Sequence, residues 1–453
     1  MIQPTRVRVI SDKPVAAGKY VLYWMQQSQR ARFNHALEYA IVRANELKLP
    51  LVVGFGLMDD YPEANARHYA FMLQGLRDVE VDLRERGIKF VCRRGQPADV
   101  AVGLAKEAAL VVCDRGYLRH QKRWRDDVAD RAGTRVVEVE SDVVVPVDVA
   151  SDKQEYAART IRPKIHKRLA EYLVDLPAEP VKHDSVRMRV AGDIDVSDYG
   201  AVLATLKLDR SVGPVSSYPG GSREAQRRLE AFVTHKLAGY DEGRNEPAAG
   251  HTSTMSAFLH FGQISALDIA LRVSRAKHAP QADRDAYLEE LIVRRELAAN
   301  FVHRCPHYDD YECIPGWAQK TLAERQTDVR PALYTLDQLE HAKTADPYWN
   351  AAQLEMTKTG FMHNYMRMYW GKKILEWMPT PREAFAATLH LNNKHFLCGR
   401  DCISYASVAW VYGLHDRPWG PARKVFGTVR YMNDSGLRRK FDMDAYVKKV
   451  ALL

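Results

Sequence analysis

The chain has 453 residues, 46% hydrophobic and 27% charged, with a formal net charge of +9; that length suggests two or three domains with room for buried cores. No apolar run reaches the roughly 18–20 residues that span a bilayer, which excludes a membrane helix. The start, MIQPTRVRVISDKP, lacks the apolar stretch of a secretory signal, so a cytoplasmic location is the expectation.

Residues 1–175 alternate apolar strands with amphipathic helices. Strands are predicted at Lys19–Met25, Leu51–Leu57, Ile88–Arg93, Leu110–Asp114 and Arg135–Val139. Helices are predicted at Phe33–Leu47, Ala66–Arg86 and Ala98–Ala108. This alternation implies a doubly wound parallel sheet, a Rossmann-like α/β domain whose ligands bind beyond the carboxyl ends of the strands. No GxGxxG and no P-loop motif follows a strand, which argues against an ordinary dinucleotide or P-loop site. Residues 176–218, with Pro177, Pro180, Gly192, Gly213 and Pro214, read as an interdomain linker or wrapping segment.

Residues 219–453 read as an all-helical domain. The first helix has an apolar stripe of Leu229, Phe232, Val233 and Leu237, with Ser222 as the expected N-cap and Gly239 as the stop. Further helices are predicted at Ala286–His303, Trp349–Trp377 and Pro381–Leu391. The six cysteines form no CxxC pair and no zinc spacing, so they are read as reduced, mostly structural thiols and no metal is expected.

Four stretches carry possible chemistry. Tyr240-Asp-Glu-Gly-Arg-Asn245 precedes the hydroxyl run Thr252-Ser253-Thr254-Met255-Ser256, which suits an anion site at a helix start or, more plainly, N-capping. Glu289-Glu290 and Arg294-Arg295 crowd carboxylates and guanidinium groups, either as i,i+4 salt bridges such as Glu290 with Arg294 or as a heterocycle-binding Glu. Trp349, Trp370 and Trp377 flank Arg367 and Met368, as core aromatics or as an electron relay. Finally the stretch holding Asn392, Asp401, Trp410 and Trp419 sets its two late tryptophans in Gly- and Pro-rich surroundings, to stack on a base or as plain aromatics, and Arg417–Lys440, with Arg430, interleaves bases with aromatics, a pattern for stacking on nucleic acid or for a basic surface packed by its rings.

Taken in order, LHFGQIS, RREL, DPYWNA, TGFMHNYMRMYW, KKILEW, GRD and HDRPWG resemble the photolyase/cryptochrome family, and specifically class II cyclobutane pyrimidine dimer photolyases. YWMQQSQRARFNHALEYA is similar to the antenna domain of that class. The resemblance implies FAD held in the helical domain. Tyr240 and Thr252, Ser253, Thr254, Met255 and Ser256 would line its pyrophosphate and ribityl parts, with Arg367, Asn392 and Asp401 beside the isoalloxazine. Trp370 would be the flavin-proximal relay member, Trp349 the outer one and Trp377 a branch. The implied partner is UV-damaged double-stranded DNA with the dimer flipped out, met by a monomeric protein. Trp410 would stack on the dimer and Glu290 hydrogen-bond it. Asn245 and Met368 would line the same cavity, and Trp419 and Arg430 would meet DNA. Reduced FAD would absorb blue light and lend the dimer an electron that opens it and returns. A deazaflavin or folate antenna would serve the α/β domain.

The chain departs from the class at Cys398, where an Asp pairs with the Arg matching Arg367, and at Cys402-Ile403-Ser404, where Pro-Asn-Gly is usual. Less compensated charge at Arg367 leads us to expect a more stable anionic flavin. The alternative function is a cryptochrome-like blue-light photoreceptor; the short stretch between the last motif and Leu453 favours the enzyme.

Overall fold

A computed structural model describes residues 2–453. Six strands form one sheet in the order β1-β6-β5-β2-β3-β4. They are β1 Val7–Ser11, β2 Tyr20–Trp24, β3 Leu51–Leu57, β4 Lys89–Arg94, β5 Ala108–Asp114 and β6 Val136–Val139. Strands β2 to β6 are parallel, and the near-continuous Val, Leu and Ala runs of β2, β3 and β5 are buried throughout, as a sheet covered on both faces requires. Helices His35–Leu47 and Ala66–Glu85 cover one face; Pro97–Ala105 and Arg119–Arg131 cover the other. The winding reverses between β2 and β5, so the crevice opens beyond Met25 and Asp114. There the buried Asp114 carboxylate accepts the Gln26 N–H at 3.0 Å and the Ser28 N–H, pinning the loop after β2.

Strand β1 was not expected. It pairs antiparallel with β6 as a half-exposed edge, so it lacks a continuous apolar run. Helix Arg119–Arg131 also escaped, because its sequence RHQKRWRDDVADR carries no apolar stripe and only Arg125, Val128 and Ala129 are buried. Residues 176–218 are held against the sheet rather than free. Ser185 Oγ accepts the Lys89 N–H at 2.7 Å, and Asp193 Oδ1 accepts the Arg94 N–H at 2.8 Å.

The remainder is helical, with two large apolar cores. Helix Ser222–His235 takes Gly221 as its N-cap, with φ +118°, so Ser222 is the first helical residue rather than the cap; its hydroxyl turns to Asp82. The expected Trp349–Trp377 helix is two helices, Pro347–Thr359 and Asn364–Trp377, broken at Gly360 with φ +69°. A left-handed residue there ends the first helix by a motif that glycine adopts without steric cost. The expected Ala286–His303 helix contains a π-helical stretch, Glu289–Arg294. Such stretches rotate the residues that follow and are frequent at functional sites.

The two domains clasp each other closely. Arg30 donates to the Gly262 carbonyl at 3.0 Å, and a Cβ on Gly262 would lie 1.9 Å from the Gln27 carbonyl oxygen. Among the described residues no helix is long and apolar enough to cross a membrane, and no cluster of His, Cys, Asp and Glu is arranged to hold a metal.

Candidate functional site

The hydroxyl run Thr252–Met255 is irregular and leads into a helix of only five residues, Ser256–His260. That helix is too short for its dipole to matter, and no side chain caps it, so capping does not account for the run. Thr254 stands at φ +56°, an outlier for a β-branched residue, and such strain clusters at ligand sites. Its carbonyl accepts the Tyr218 hydroxyl. Ser253 Oγ lies 3.0 Å from the Tyr287 hydroxyl, whose pKa burial pushes up to about 12. The Tyr240 and Tyr287 rings meet edge to face at 5.1 Å and fix this wall.

Arg367, Asn392, Cys398 and Asp401 form a second wall. The Arg367 guanidinium lies over the Phe396 ring at 3.8 Å and donates through Nη2 to Cys398 Sγ at 3.4 Å. Its Nε is buried without a partner, and no carboxylate lies within salt-bridge distance among the described residues. Asn392 donates to Asn393 Oδ1 at 2.9 Å and to Ser404 Oγ at 2.6 Å. Asp401 caps helix Cys402–Val411 through the Ser404 N–H at 2.6 Å. Burial pushes the Asp401 carboxyl up to about 6, against the opposing pull of that hydrogen bond and of Arg295 and Arg367. Nearby His260 is held well below the usual imidazole range by burial and by Arg400, and its Nδ1 has no partner.

The three tryptophans expected to form a relay are brought together, in an order that differs from the expected one. Trp349 donates its indole N–H to the Trp370 carbonyl at 3.0 Å, and its ring meets Trp377 at 5.5 Å. Trp349, buried like the other two, touches both of them and so lies between them rather than outermost. Trp377 is the outward member rather than a branch, and it meets the part-exposed Tyr334 at 5.1 Å. Gln353, absent from the sequence reading, accepts the Trp370 indole N–H at 2.8 Å. It lies four residues after Trp349, on the same face of the same helix, which is the signal that marks it.

A cavity of about 550 Å³ is lined by Met368, Trp410, Trp419, Arg430, Arg294 and Lys440, among others. Asp416 organises its rim by accepting from the Trp419 indole at 3.1 Å and from Arg430 Nε at 2.9 Å. The Arg430 guanidinium lies 4.0 Å from the Trp419 ring centroid, an attraction of about 0.5–1 kcal/mol at a half-exposed site. Asn245 is exposed and does not line this cavity, contrary to expectation; its single-turn neighbourhood Tyr240–Gly243 turns it to solvent. Glu290 does not pair with Arg294 either. The π-helical stretch swings it to Arg244 Nη1 at 2.9 Å, while Glu289 takes Arg162 and Arg294. Asp416 and Arg244 hold site residues in place and carry no expected role in the sequence motifs. Asp416 sits between Trp410 and the Trp419 of the HDRPWG stretch, a hint available in the sequence.

A narrow second cavity of about 110 Å³ runs between the domains. It begins at the carboxyl ends of β2 and β3, passes Tyr61, Trp124 and Met58, and ends against His260, Arg295 and Asp401.

Fold and site together define a two-domain protein in which an α/β sheet backs a helical domain holding a polar, strained pocket, a chain of contacting tryptophans and an aromatic, basic cavity. A family model described as DNA photolyase matches residues 21–182. A deoxyribodipyrimidine photo-lyase of Methanothermobacter thermautotrophicus is 48% identical over 453 residues, covering 99% of this chain and 99% of that protein. One of Arabidopsis thaliana is 38% identical, covering 100% of this chain and 94% of that one. A solved class III photolyase of Agrobacterium tumefaciens shares the fold, with a TM-score of 0.72 at 19% identity over 96% of this chain and 87% of that one. The chain belongs to the DNA photolyase family, as a DNA-repair lyase and flavoprotein with FAD as cofactor.

The donor set fits that cofactor. Arg367 Nε and His260 Nδ1 are buried polar atoms without hydrogen-bond partners, the hydroxyls of Thr252–Ser256 are not used as caps, and the Arg367 guanidinium has no carboxylate partner among the described residues, so these groups are free to meet the oxygens and nitrogens of a flavin.

Proposed function

We propose that the protein repairs cyclobutane pyrimidine dimers in double-stranded DNA in a light-dependent reaction, on a dimer flipped into the 550 Å³ cavity, and that it is of the class II kind. The observation that carries this reading is the cavity's make-up. Two tryptophans, a methionine and an arginine held by Asp416 suit a flat, apolar, phosphate-flanked lesion. When bound, FAD in its reduced form supplies the photoexcited electron that opens the dimer and takes it back.

The protein's own residues do the rest. Trp410 offers a ring for stacking. Glu290 does not itself line that cavity but stands one turn from the lining residue Arg294; fixed by Arg244, it provides the polar contact to a pyrimidine edge from the cavity's margin, an electrostatic rather than a proton-transfer role. Arg367 and Asn392 hold the flavin ring, and Tyr240 with Thr252–Ser256 hold its phosphate-bearing arm. Trp370, Trp349 and Trp377 carry electrons in from the surface. The narrow interdomain cavity, flanked by Tyr61 and Trp124, suits a second planar chromophore such as a deazaflavin or folate.

The test is a duplex oligonucleotide bearing one thymine dimer, given to chemically reduced protein in blue light and in the dark. Restoration of intact thymines only in light supports the reading. No repair by flavin-loaded protein would sink it and favour a photoreceptor, a reading whose one structural support is the unusual Arg367–Cys398 contact.

A further inference from the structure

Lys372 is fully buried on helix Asn364–Trp377, at 0% exposure, yet no carboxylate pairs with it among the described residues. Its neighbour Lys373 bonds Glu376 instead. A buried ammonium without an ion partner is costly and calls for an explanation. The neighbouring geometry supplies one. Gly371 lets this helix approach helix Cys402–Val411 so closely that a Cβ would lie 2.6 Å from Val411 Cγ2. Through that gap Lys372 Nζ reaches the Val411 carbonyl at the end of the second helix and stands 5.2 Å from the centroid of the Trp410 ring. Last-turn carbonyls carry partial negative charge and ring faces attract cations, so both contacts favour the charged form. Trp410 itself is only partly buried and lines the 550 Å³ cavity.

We infer that Lys372 is a positioning residue for damaged DNA, holding the Trp410 indole from within the core in the orientation that stacks on the lesion. This rests on the dimer-binding reading of the cavity. Met368 lies one turn before Lys372 on the same helix and lines the same cavity, so one helix face supplies both a lining residue and the brace behind the stacking ring.

The brace is also sensitive to proton concentration. Burial lowers the Lys372 ammonium to about 7, with Asp416 opposing and Arg430 adding to the shift. These are the charged groups facing it from the 415–430 segment, and they hold each other in a salt bridge at 2.9 Å. His415, on the cavity rim, is pushed down to about 4 by burial and stays neutral there. Lys372 is therefore charged below about pH 7 and loses its grip on the ring above it.

The experiment measures binding of the flavin-loaded protein to a labelled duplex with one thymine dimer, and to the same duplex undamaged, between pH 6 and pH 8.5. Parent, Lys372→Met and Trp410→Leu proteins are compared. The parent's preference for the damaged duplex should fall about fivefold across that range. Lys372→Met should hold the weaker value at every pH, with flavin content unchanged and a melting temperature no lower than the parent's. Trp410→Leu should bind weakly and without this pH dependence. A Lys372→Met protein with the parent's affinity and pH profile overturns the assignment, as does a parent profile that is flat. If Lys372→Met does not fold, the parent and Trp410→Leu profiles decide alone. A parent that never prefers the damaged duplex refutes the reading of the cavity itself.

Discussion

The indole N–H of Trp349 donates to the backbone carbonyl of Trp370 at 3.0 Å, so two residues 21 apart in sequence are locked edge to backbone in the core. The bond fixes the Trp349 ring by its own backbone neighbour rather than by packing alone. It also makes Trp349 the hinge between Trp370 and Trp377.

Photoreduction of the bound flavin should therefore fail in Trp370→Phe and in Trp349→Phe, and slow less in Trp377→Phe, the last of the three, whose ring meets Trp349 on one side and Tyr334 on the other. Repair by chemically reduced enzyme should be spared in all three. Absorbance under blue light with an external reductant, alongside a single-turnover repair assay, checks both halves. Normal photoreduction in Trp370→Phe would remove it from the relay.

Trp410→Ala removes a ring available for stacking. Base–aromatic stacking is worth about 1–3 kcal/mol, so affinity for a dimer-containing duplex should fall roughly 5- to 150-fold. Flavin content should not change, because none of the flavin-wall contacts involves Trp410. Loss of flavin in the purified variant would place the ring elsewhere in the site.

Cys398→Asp should give Arg367 a carboxylate in place of a thiol at 3.4 Å. The compensated guanidinium then stabilises the anionic reduced flavin less. The midpoint potential should drop by tens of millivolts, about 59 mV corresponding to a tenfold change for one electron. Spectroelectrochemical titration of parent and variant decides, and equal potentials would show that Arg367 is already neutralised.

Asp401 illustrates how burial feeds into stability. Its folded pKa, about 6, lies above its ordinary value of 3.8 because burial disfavours the charge. For a raised pKa the folded state binds the extra proton, so this contribution is full below about pH 4 and fades as pH rises through 6. Asp401→Asn keeps a cap for the Ser404 N–H and has no charge to bury. The parent should thus lose stability relative to the variant between pH 4 and pH 7, by on the order of 2–3 kcal/mol. Thermal unfolding of both proteins across that range is the measurement; a constant difference would mean the carboxylate is ionised throughout.

Much of the architecture could be read from residue order. The buried runs of β2, β3 and β5 betray a covered parallel sheet, since alternation is unnecessary when both faces are dry. Edge strand β1 and the charged Arg119–Arg131 helix could not, because their partners are long-range and their own patterns are polar. In the site, Trp410, Met368, Trp419 and Arg430 share one cavity as their motifs suggest. Asn245 is carried to solvent by its own short turn, Tyr240–Gly243, whereas the order of the three tryptophans and the partner of Glu290 follow from breaks in helical regularity. Spacing along one helix says nothing about a π-helical turn at Glu289–Arg294 or a break at Gly360.

That break at Gly360 has a consequence for how the relay is wired. A single rod from Trp349 to Trp377 would string the indoles along its length. Folded back at Gly360, the same sequence becomes a hairpin, and electrons in the proposed relay would cross between its arms instead of travelling down one. A Cβ at the corner would come within 2.7 Å of Leu397 Cγ, in a backbone conformation that side chains resist. The Gly360 carbonyl there also accepts the N–H of Leu397, the residue before the thiol that touches Arg367. One glycine thus sets the spacing of the circuit's conductors and seats one edge of its terminal, so a substitution there can disconnect light from chemistry while leaving every aromatic ring in place.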